Sequence, residues 1–528
     1  MREVVPNRER QIAYMNTKRQ SLLDVTDARS ATADFSWERL WALFEGDRER
    51  LNIAHECVDR HPPDTVGARI AFADGRVDEI TFGELSRDSS GFAHLLEELG
   101  VGVGEPVGLM MDPSREFYAA LLGIIKRGAV AVPLYTLFGP DALRDRLDDC
   151  GASLVVVDTG TDGVAAKLDV RRLVYDATLA ARVAQLPDRY ETTTAATDTA
   201  VLQYTSGTTR QMPEAVRHEH RSVVTLARSA LFAVGVRPGD RFFCPSSPAW
   251  GHGLWHGTIA PWSLGVATGT WSGRFDVDAL VTALARLRID NLAAASTIYR
   301  MILRSGRVGE LSGLTKASYT GEELYADAQE ELHRQLGVAV CGMYGTTETG
   351  VIIVNFPGFT DHHPKQDALG KPMPGCRVTV LDESGAHAPI GVTGEIAVHR
   401  RGGWLRAKDL GSIDEDGFFH YAGRADDVII SAGWTISPLE VERTLLRHED
   451  VVEAAVVGVP DATRGLVVKA FVVTRSGGSN DLVATLQALV KRELSPHEYP
   501  RQVAFVEDLP KTPSGKINRR ALREDVPR

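Results

Sequence analysis

The segment Ala200-Val-Leu-Gln-Tyr-Thr-Ser-Gly-Thr-Thr209 is a short apolar run that breaks into four hydroxyl side chains around one glycine. Val201 and Leu202 read as a buried strand. Gly207 lets the backbone turn tightly and bring its N–H groups close to a ligand, and Thr205, Ser206, Thr208 and Thr209 add neutral donors beside them. Such a loop wraps a polyphosphate in the manner of anion-binding nests. No Gly-Lys-[Ser/Thr] follows, so this is not the P-loop pattern.

Outward from this loop the chain alternates apolar runs with amphipathic segments. Upstream, strands are expected at 107–111, 129–134 and 154–157, separated by helices at 114–127 and 141–150. Thr81-Phe-Gly-Glu-Leu opens a further helix with the capping-box pattern. Downstream come helix 221–234, strand 241–244, helix 276–287 and strand 290–295. Fully apolar strands separated by helices imply parallel sheets covered on both faces, whose ligands bind beyond the carboxyl ends of the strands. From about Gly370 short strands and turns take over, with Asp-Glu-Ser-Gly385 and Asp-Glu-Asp-Gly417 as turn signals, and a β-rich subdomain is expected over 370–424. After Arg424 a new α+β unit begins. The first 50 residues read as peripheral, with Trp37, Leu40, Trp41 and Phe44 at the spacing of a docked amphipathic helix. The expected division is a peripheral segment 1–50, a large domain 51–424 and a C-terminal unit 425–528.

A second hydroxyl-rich loop, Met343-Tyr-Gly-Thr-Thr-Glu-Thr-Gly350, follows the apolar run Val338-Ala-Val-Cys341. Further on come Lys408-Asp-Leu410, Gly423-Arg-Ala-Asp-Asp427 and Lys511-Thr-Pro-Ser-Gly-Lys-Ile517. Singly, Glu348 and Asp409 read as solvated surface carboxylates. Taken together, in this order, the five motifs resemble the adenylate-forming superfamily from about Thr81 to Leu522. That resemblance implies two doubly wound sheets and a β-rich subdomain, with a mobile C-terminal lid.

The resemblance also assigns roles. Thr205, Ser206, Gly207, Thr208 and Thr209 hold the β- and γ-phosphates of ATP, and Thr347 contacts the α-phosphate. Glu348 helps to hold Mg²⁺, a hard cation suited to oxygen ligands. Thr320-Gly-Glu322 (Gly321 and Glu322) matches the segment that lies against adenine, and Tyr344, Gly345 and Thr346 are further ATP-binding residues. Asp409 accepts from the ribose hydroxyls, assisted by Arg424. Lys516 reaches the α-phosphate and the attacking carboxylate. Coenzyme A enters beside Gly433 and Trp434, with Arg464 a candidate for its phosphates, and Asp426 is the hinge of the lid.

The chain departs from the family's pattern after Thr209. Gly-x-Pro-Lys-Gly is usual there, and Arg210-Gln-Met-Pro-Glu-Ala215 stands in its place, one residue longer, with Glu214 where Lys is expected. Arg210, or Arg217 just beyond, could restore the lost positive charge. Ala407-Lys408-Asp409 likewise replaces Thr-Gly-Asp.

The acid site is expected along Ser246-Ser-Pro-Ala-Trp-Gly-His-Gly-Leu-Trp-His256, where Trp250, His252 and Trp255 form an apolar wall. Gly345 stands where acetate-specific relatives carry Trp, which leaves the tunnel open for a medium-chain, branched, alicyclic or aromatic acid. Leu494-Ser-Pro-His-Glu-Tyr-Pro500 is similar to the medium-chain acyl-CoA synthetase branch. The leading expectation is an acyl-CoA ligase. The alternatives are a freestanding enzyme loading a carrier protein, or a catalytically weak nucleotide-binding relative.

Bulk properties agree. Of 528 residues, 43% are hydrophobic and 24% charged, as in an ordinary soluble globular protein. A net charge of −11 without a basic run gives no support for nucleic-acid binding. The five cysteines form no C-x-x-C pair, which argues against a disulfide framework or zinc site and fits a reducing cytosol. Residues 1–20 carry no signal-peptide core, and no apolar run reaches the roughly 18 residues of a membrane span. A cytoplasmic location is expected.

Overall fold

The computed structural model describes residues 21–204, 215–321, 324, 326–346, 349–425, 427, 429–431, 434–461, 465–511 and 517–524. The apolar runs upstream of Tyr204 become the strands Pro106–Met110, Val130–Pro133, Leu154–Val157 and Thr199–Tyr204 of one six-stranded sheet. They are parallel, and Ala215–Glu219 returns antiparallel on the edge beside Thr199–Tyr204. Their side chains are almost wholly buried, because helices cover both faces. Helix Arg115–Lys126 packs on one face and Pro140–Cys150 on the other. Helix Phe82–Glu98 starts where its capping box demands: the Thr81 hydroxyl accepts from the Glu84 N–H at 3.1 Å, and the Glu84 carboxylate accepts from the Thr81 N–H at 2.9 Å.

The second parallel set, Phe242–Phe243, Asn291–Ala295, Lys316–Thr320 and Val340–Thr346, does not end as a separate sheet. Val340–Thr346 turns back into Gly350–Val354, and the β-rich strands continue from there, giving one ten-stranded sheet that is parallel at one end and antiparallel at the other. The β-rich region therefore shares hydrogen bonds with the strand that carries the second hydroxyl loop. A third, three-stranded sheet joins Val66–Phe72, Val77–Thr81 and Thr268–Ser272, a pairing of segments nearly two hundred positions apart that local pattern does not reveal.

The N-terminal residues dock on this body. Leu22, Val25, Leu40 and Phe44 are buried in its main core. The helix expected there is only Trp37–Trp41, and Trp37 is about one-third exposed under the Arg228 guanidinium, 4.8 Å from its ring. The C-terminal unit builds its own sheet from Ile429–Ser431, Trp434–Ile436, Val451–Asp461, Gly465–Thr474 and Gln502–Phe505, backed by helices Pro438–Leu445 and Asn480–Glu493. Among the described residues, no helix is long and apolar enough to cross a membrane.

Candidate active site

Asp409 lies in strand Gly403–Ile413, directly opposite Arg424 across the ladder to Phe419–Arg424. Its carboxylate is 4% exposed. Tyr344 Oη donates to Oδ2 at 2.6 Å, and Arg424 Nη1 stands 3.5 Å from Oδ1. A buried carboxylate is tolerable only with such partners, and a guanidinium with a phenol O–H keeps it an acceptor. Burial pushes the Tyr344 phenol far above its ordinary range, and the Asp409 charge pushes it further. Tyr344 therefore stays a donor. Its ring stands 6.3 Å from that of Tyr421, whose phenol burial also raises. Thus Tyr344, Asp409 and Arg424, 65 and 15 residues apart in sequence, form one cluster.

Lys408 holds this cluster at a cost. Its φ is +60°, a left-handed conformation that glycine adopts freely and lysine does not. The position is held by the Lys408 N–H donating to Glu395 Oε1 at 3.0 Å and by the Ala425 N–H donating to the Lys408 carbonyl at 2.9 Å. Lys408 itself points to solvent. Relieving the strain with Lys408→Gly should leave stability equal or higher by up to ~1 kcal/mol. Lys408→Val, β-branched at positive φ, should lose about 1–3 kcal/mol. Thermal unfolding of both variants checks the sign difference.

The second hydroxyl loop sits on a hairpin. Thr346 pairs with Gly350, and its N–H donates to Thr349 Oγ1 at 2.9 Å. Arg400, which belongs to no sequence motif, donates from Nη2 to the Thr349 carbonyl at 2.8 Å and clamps the hairpin from the end of strand Gly394–Arg400. Gly345 is exposed at a bulge in this hairpin, and a Cβ there would collide with the Gly350 carbonyl. The hairpin itself therefore requires glycine at this position. Gly345→Trp would displace the strand, and it cannot serve as a simple filler of the acyl tunnel.

The expected acyl wall is a π-helix, His252–Ile259. Trp250, just before it, reaches Gly321: a Cβ on Gly321 (φ +103°) would lie 3.4 Å from Trp250 Cη2. The wall thus adjoins the segment assigned to adenine. His252 is 3% exposed, with Nδ1 3.0 Å from Ser246 Oγ, and its ring lies 5.3 Å from that of Trp250 and 5.9 Å from that of His256. Trp255 packs, tilted by 46° and with ring centres 4.3 Å apart, against His218 of the strand that follows the first hydroxyl loop. Burial depresses His252 to about 3 and both His256 and His218 to about 4, so all three are neutral near pH 7. They are not general bases poised for catalysis.

Strand alternation also places Arg217. His218 faces the Trp255 side, so Arg217 faces the other. Arg217 pairs with Leu202 and lines a cleft with Asp149, Cys150 and Asp198 toward the amino ends of the parallel strands. It is turned away from the wall.

Thr205, Ser206, Gly207, Thr208, Thr209, Arg210, Glu322, Thr347, Glu348, Asp426, Gly433, Arg464 and Lys516 lie outside the described residues, as does the side chain of Trp434. Their neighbours are placed. Thr205 follows Tyr204 at the carboxyl end of its strand, and the Tyr204 phenol donates to the Arg146 carbonyl at 2.7 Å. Glu348 falls between the paired residues Thr346 and Gly350. Lys516 precedes Ile517, which bridges to Lys511, and helix Arg519–Glu524. Arg519 forms a buried pair with Glu442 at 2.7 Å and acts on Tyr421. Ser437 Oγ donates to the Ala422 carbonyl at 2.8 Å and Arg523 pairs with Asp427 at 2.7 Å, tying the C-terminal unit close to the junction.

Comparison with known proteins agrees with this geometry. Residues 58–404 match a family described as AMP-binding enzyme, and residues 440–516 match the AMP-binding enzyme C-terminal domain. The acetyl-coenzyme A synthetase of Bacillus subtilis (strain 168) is 29% identical over 523 residues, covering 90% of each chain. The crystal structure of an acyl-CoA synthetase from Brucella canis is 32% identical, with a TM-score of 0.75 over 95% of this chain and 99% of that one. ATP-bound MatB from Rhodopseudomonas palustris is 27% identical, with a TM-score of 0.78 over 90% of this chain and 98% of its own. With both of its domain matches in register with the two halves of the structure, the chain belongs to the AMP-binding enzyme family and has the fold of the adenylate-forming enzymes.

Proposed function

We propose that this chain is an AMP-forming acyl-CoA ligase. It joins a carboxylic acid to ATP as acyl-adenylate and then passes the acyl group to coenzyme A. The observation that carries the reading is the buried Asp409 carboxylate, held by Tyr344 and Arg424 beside the Thr-Glu hairpin. An acceptor-only group fixed at that place suits a pair of ribose hydroxyls.

In the first half-reaction a carboxylate oxygen attacks the α-phosphorus and pyrophosphate leaves. Both reactants are anions, so catalysis rests on positioning and charge neutralisation. Thr205 to Thr209 cradle the departing phosphates, Thr347 meets the α-phosphate, and Lys516 bridges the α-phosphate and the attacking acid. Mg²⁺ binds through one or two carboxylates plus phosphate oxygens, which fits a single Glu348 beside the triphosphate. In the second half-reaction the thiol sulfur attacks the acyl carbonyl and AMP leaves. Residues 425–528 act as the lid for both steps, turning about Asp426, with Gly433, Trp434 and Arg464 along the path of coenzyme A. The wall of Trp250, His252 and Trp255 takes the acyl part, which suits a medium-chain, branched, alicyclic or aromatic acid.

With Arg217 turned away from the wall, Arg210 is the preferred candidate for the missing positive charge. One charge-assisted contact is worth roughly 1.5–3 kcal/mol, so Arg210→Ala should slow pyrophosphate release about ten- to hundredfold. Unchanged ATP kinetics would remove Arg210 from the phosphate site. The reading as a whole is tested by pyrophosphate release across acids of increasing size, with and without coenzyme A. AMP released only when coenzyme A is present separates a ligase from an enzyme that loads a carrier protein.

A further inference from the structure

Three nitrogen atoms on the π-helix wall are buried without a hydrogen-bond partner among the described residues: His252 Nε2, Trp255 Nε1 and His256 Nδ1. They come from positions i, i+3 and i+4 of a single turn, so they belong to one side of the helix. His252 is 3% and Trp255 5% exposed, so water does not freely solvate either ring. A buried polar atom left unpaired costs about 1–3 kcal/mol. Three within five residues are more than a well-packed core retains without a use. The neighbouring Ser246 hydroxyl and Gln203 N–H are already engaged. Ser246 Oγ is spent on His252 Nδ1, and Gln203 Nε2 donates to the Ala249 carbonyl.

The chemistry of the three atoms limits what can satisfy them. The indole N–H is a donor only, so the partner must accept. Each neutral imidazole nitrogen either donates or accepts according to its tautomer, so the partner can also donate. The stretch Ser246 to His256 carries no Asp, Glu, Lys or Arg, so it offers nothing to neutralise a charged substituent. A group that accepts, can donate and is uncharged is a hydroxyl, or an oxo group where donation is not required.

We infer that the acid this enzyme prefers carries a neutral oxygen substituent, hydroxyl or oxo, on the part of its skeleton that meets His252, Trp255 and His256. This inference rests on the ligase reading and narrows its substrate class. It replaces a purely hydrocarbon tail with an oxygenated one. The two histidines of the wall, His252 and His256, reinforce it, since neutral rings do not reward a second carboxylate.

The test uses matched pairs of acids on one skeleton: hexanoate against its positional hydroxy- and oxo-derivatives, and benzoate against the hydroxybenzoates. The quantity read is the ratio of kcat/KM within each pair, from pyrophosphate release by the full-length enzyme. At least one oxygenated member should exceed its hydrocarbon partner by about tenfold or more, because the hydrocarbon leaves the nitrogens unpaired. His256→Phe and Trp255→Phe each delete one of these nitrogens and should shrink that ratio severalfold. A wild-type preference for the hydrocarbon member of every pair overturns the inference. So does a ratio that both variants leave unchanged, and so does an equal loss on all acids, which would mean that the nitrogens hold the common carboxylate. If one variant fails to fold, the other variant and the wild-type ratio still decide. Pyrophosphate release without preference defeats this inference alone, whereas no release with any acid defeats the ligase reading and the inference together.

Discussion

Asp409→Ala should lower kcat/KM for ATP by about 10²–10⁴. The carboxylate is assigned two charge-assisted hydrogen bonds to the ribose, each worth roughly 1.5–3 kcal/mol, so their joint loss is about 3–6 kcal/mol. The change also strips a partner from the Tyr344 phenol, which donates to Asp409 at 2.6 Å in a buried setting. A drop in stability is therefore expected alongside the kinetic loss. Asp409→Asn separates the two effects. The amide oxygen can still accept from Tyr344, so thermal stability should largely return, while ATP affinity recovers only in part because the charge is gone. If Asp409→Ala keeps its ATP kinetics while folded, the carboxylate is structural and the ribose assignment is wrong.

Lys516→Ala should divide the reaction. Acyl-adenylate formation from acid and ATP should nearly vanish, since Lys516 is assigned to both the α-phosphate and the attacking carboxylate. Conversion of synthetic acyl-adenylate to acyl-CoA should survive if, as proposed, the lid turns about Asp426 and withdraws the lysine before the thiol arrives. Arg519, three residues on, pairs with Glu442 at 2.7 Å and its charge is felt by Tyr421. Rapid-quench measurement of each half-reaction alone decides the matter. Equal loss of both halves in a folded variant contradicts a lid with two working positions.

Much of this was legible in the sequence because parallel strands buried on both faces must be apolar runs. Pro106–Met110, Val130–Pro133 and Leu154–Val157 lie within a residue or two of where those runs place them. The Thr81 and Glu84 capping box announced its helix for a local reason, and local reasons survive folding. What stayed hidden depended on distance or register. The π-helix at His252–Ile259 interleaves glycines with large rings and shows no 3.6-residue period. The Arg400 clamp on Thr349 comes from one of two adjacent arginines at the end of a strand, and no motif singles it out. The face that Arg217 takes depends on strand pairing with Leu202, which local sequence does not display. Gly345 reads as an absent side chain lining a tunnel, yet the hairpin backbone already fills the space its Cβ would need.

The central claim is that the acid is activated by attack of its own oxygen on the α-phosphorus. Supplying an accepted acid with its carboxylate labelled by a heavy oxygen isotope, together with ATP and coenzyme A, tests this most directly. Mass spectrometry of the nucleotide product should show one labelled oxygen in AMP, with pyrophosphate and acyl-CoA formed in equal amount. Label in inorganic phosphate with ADP as the nucleotide, or unlabelled AMP, would contradict it.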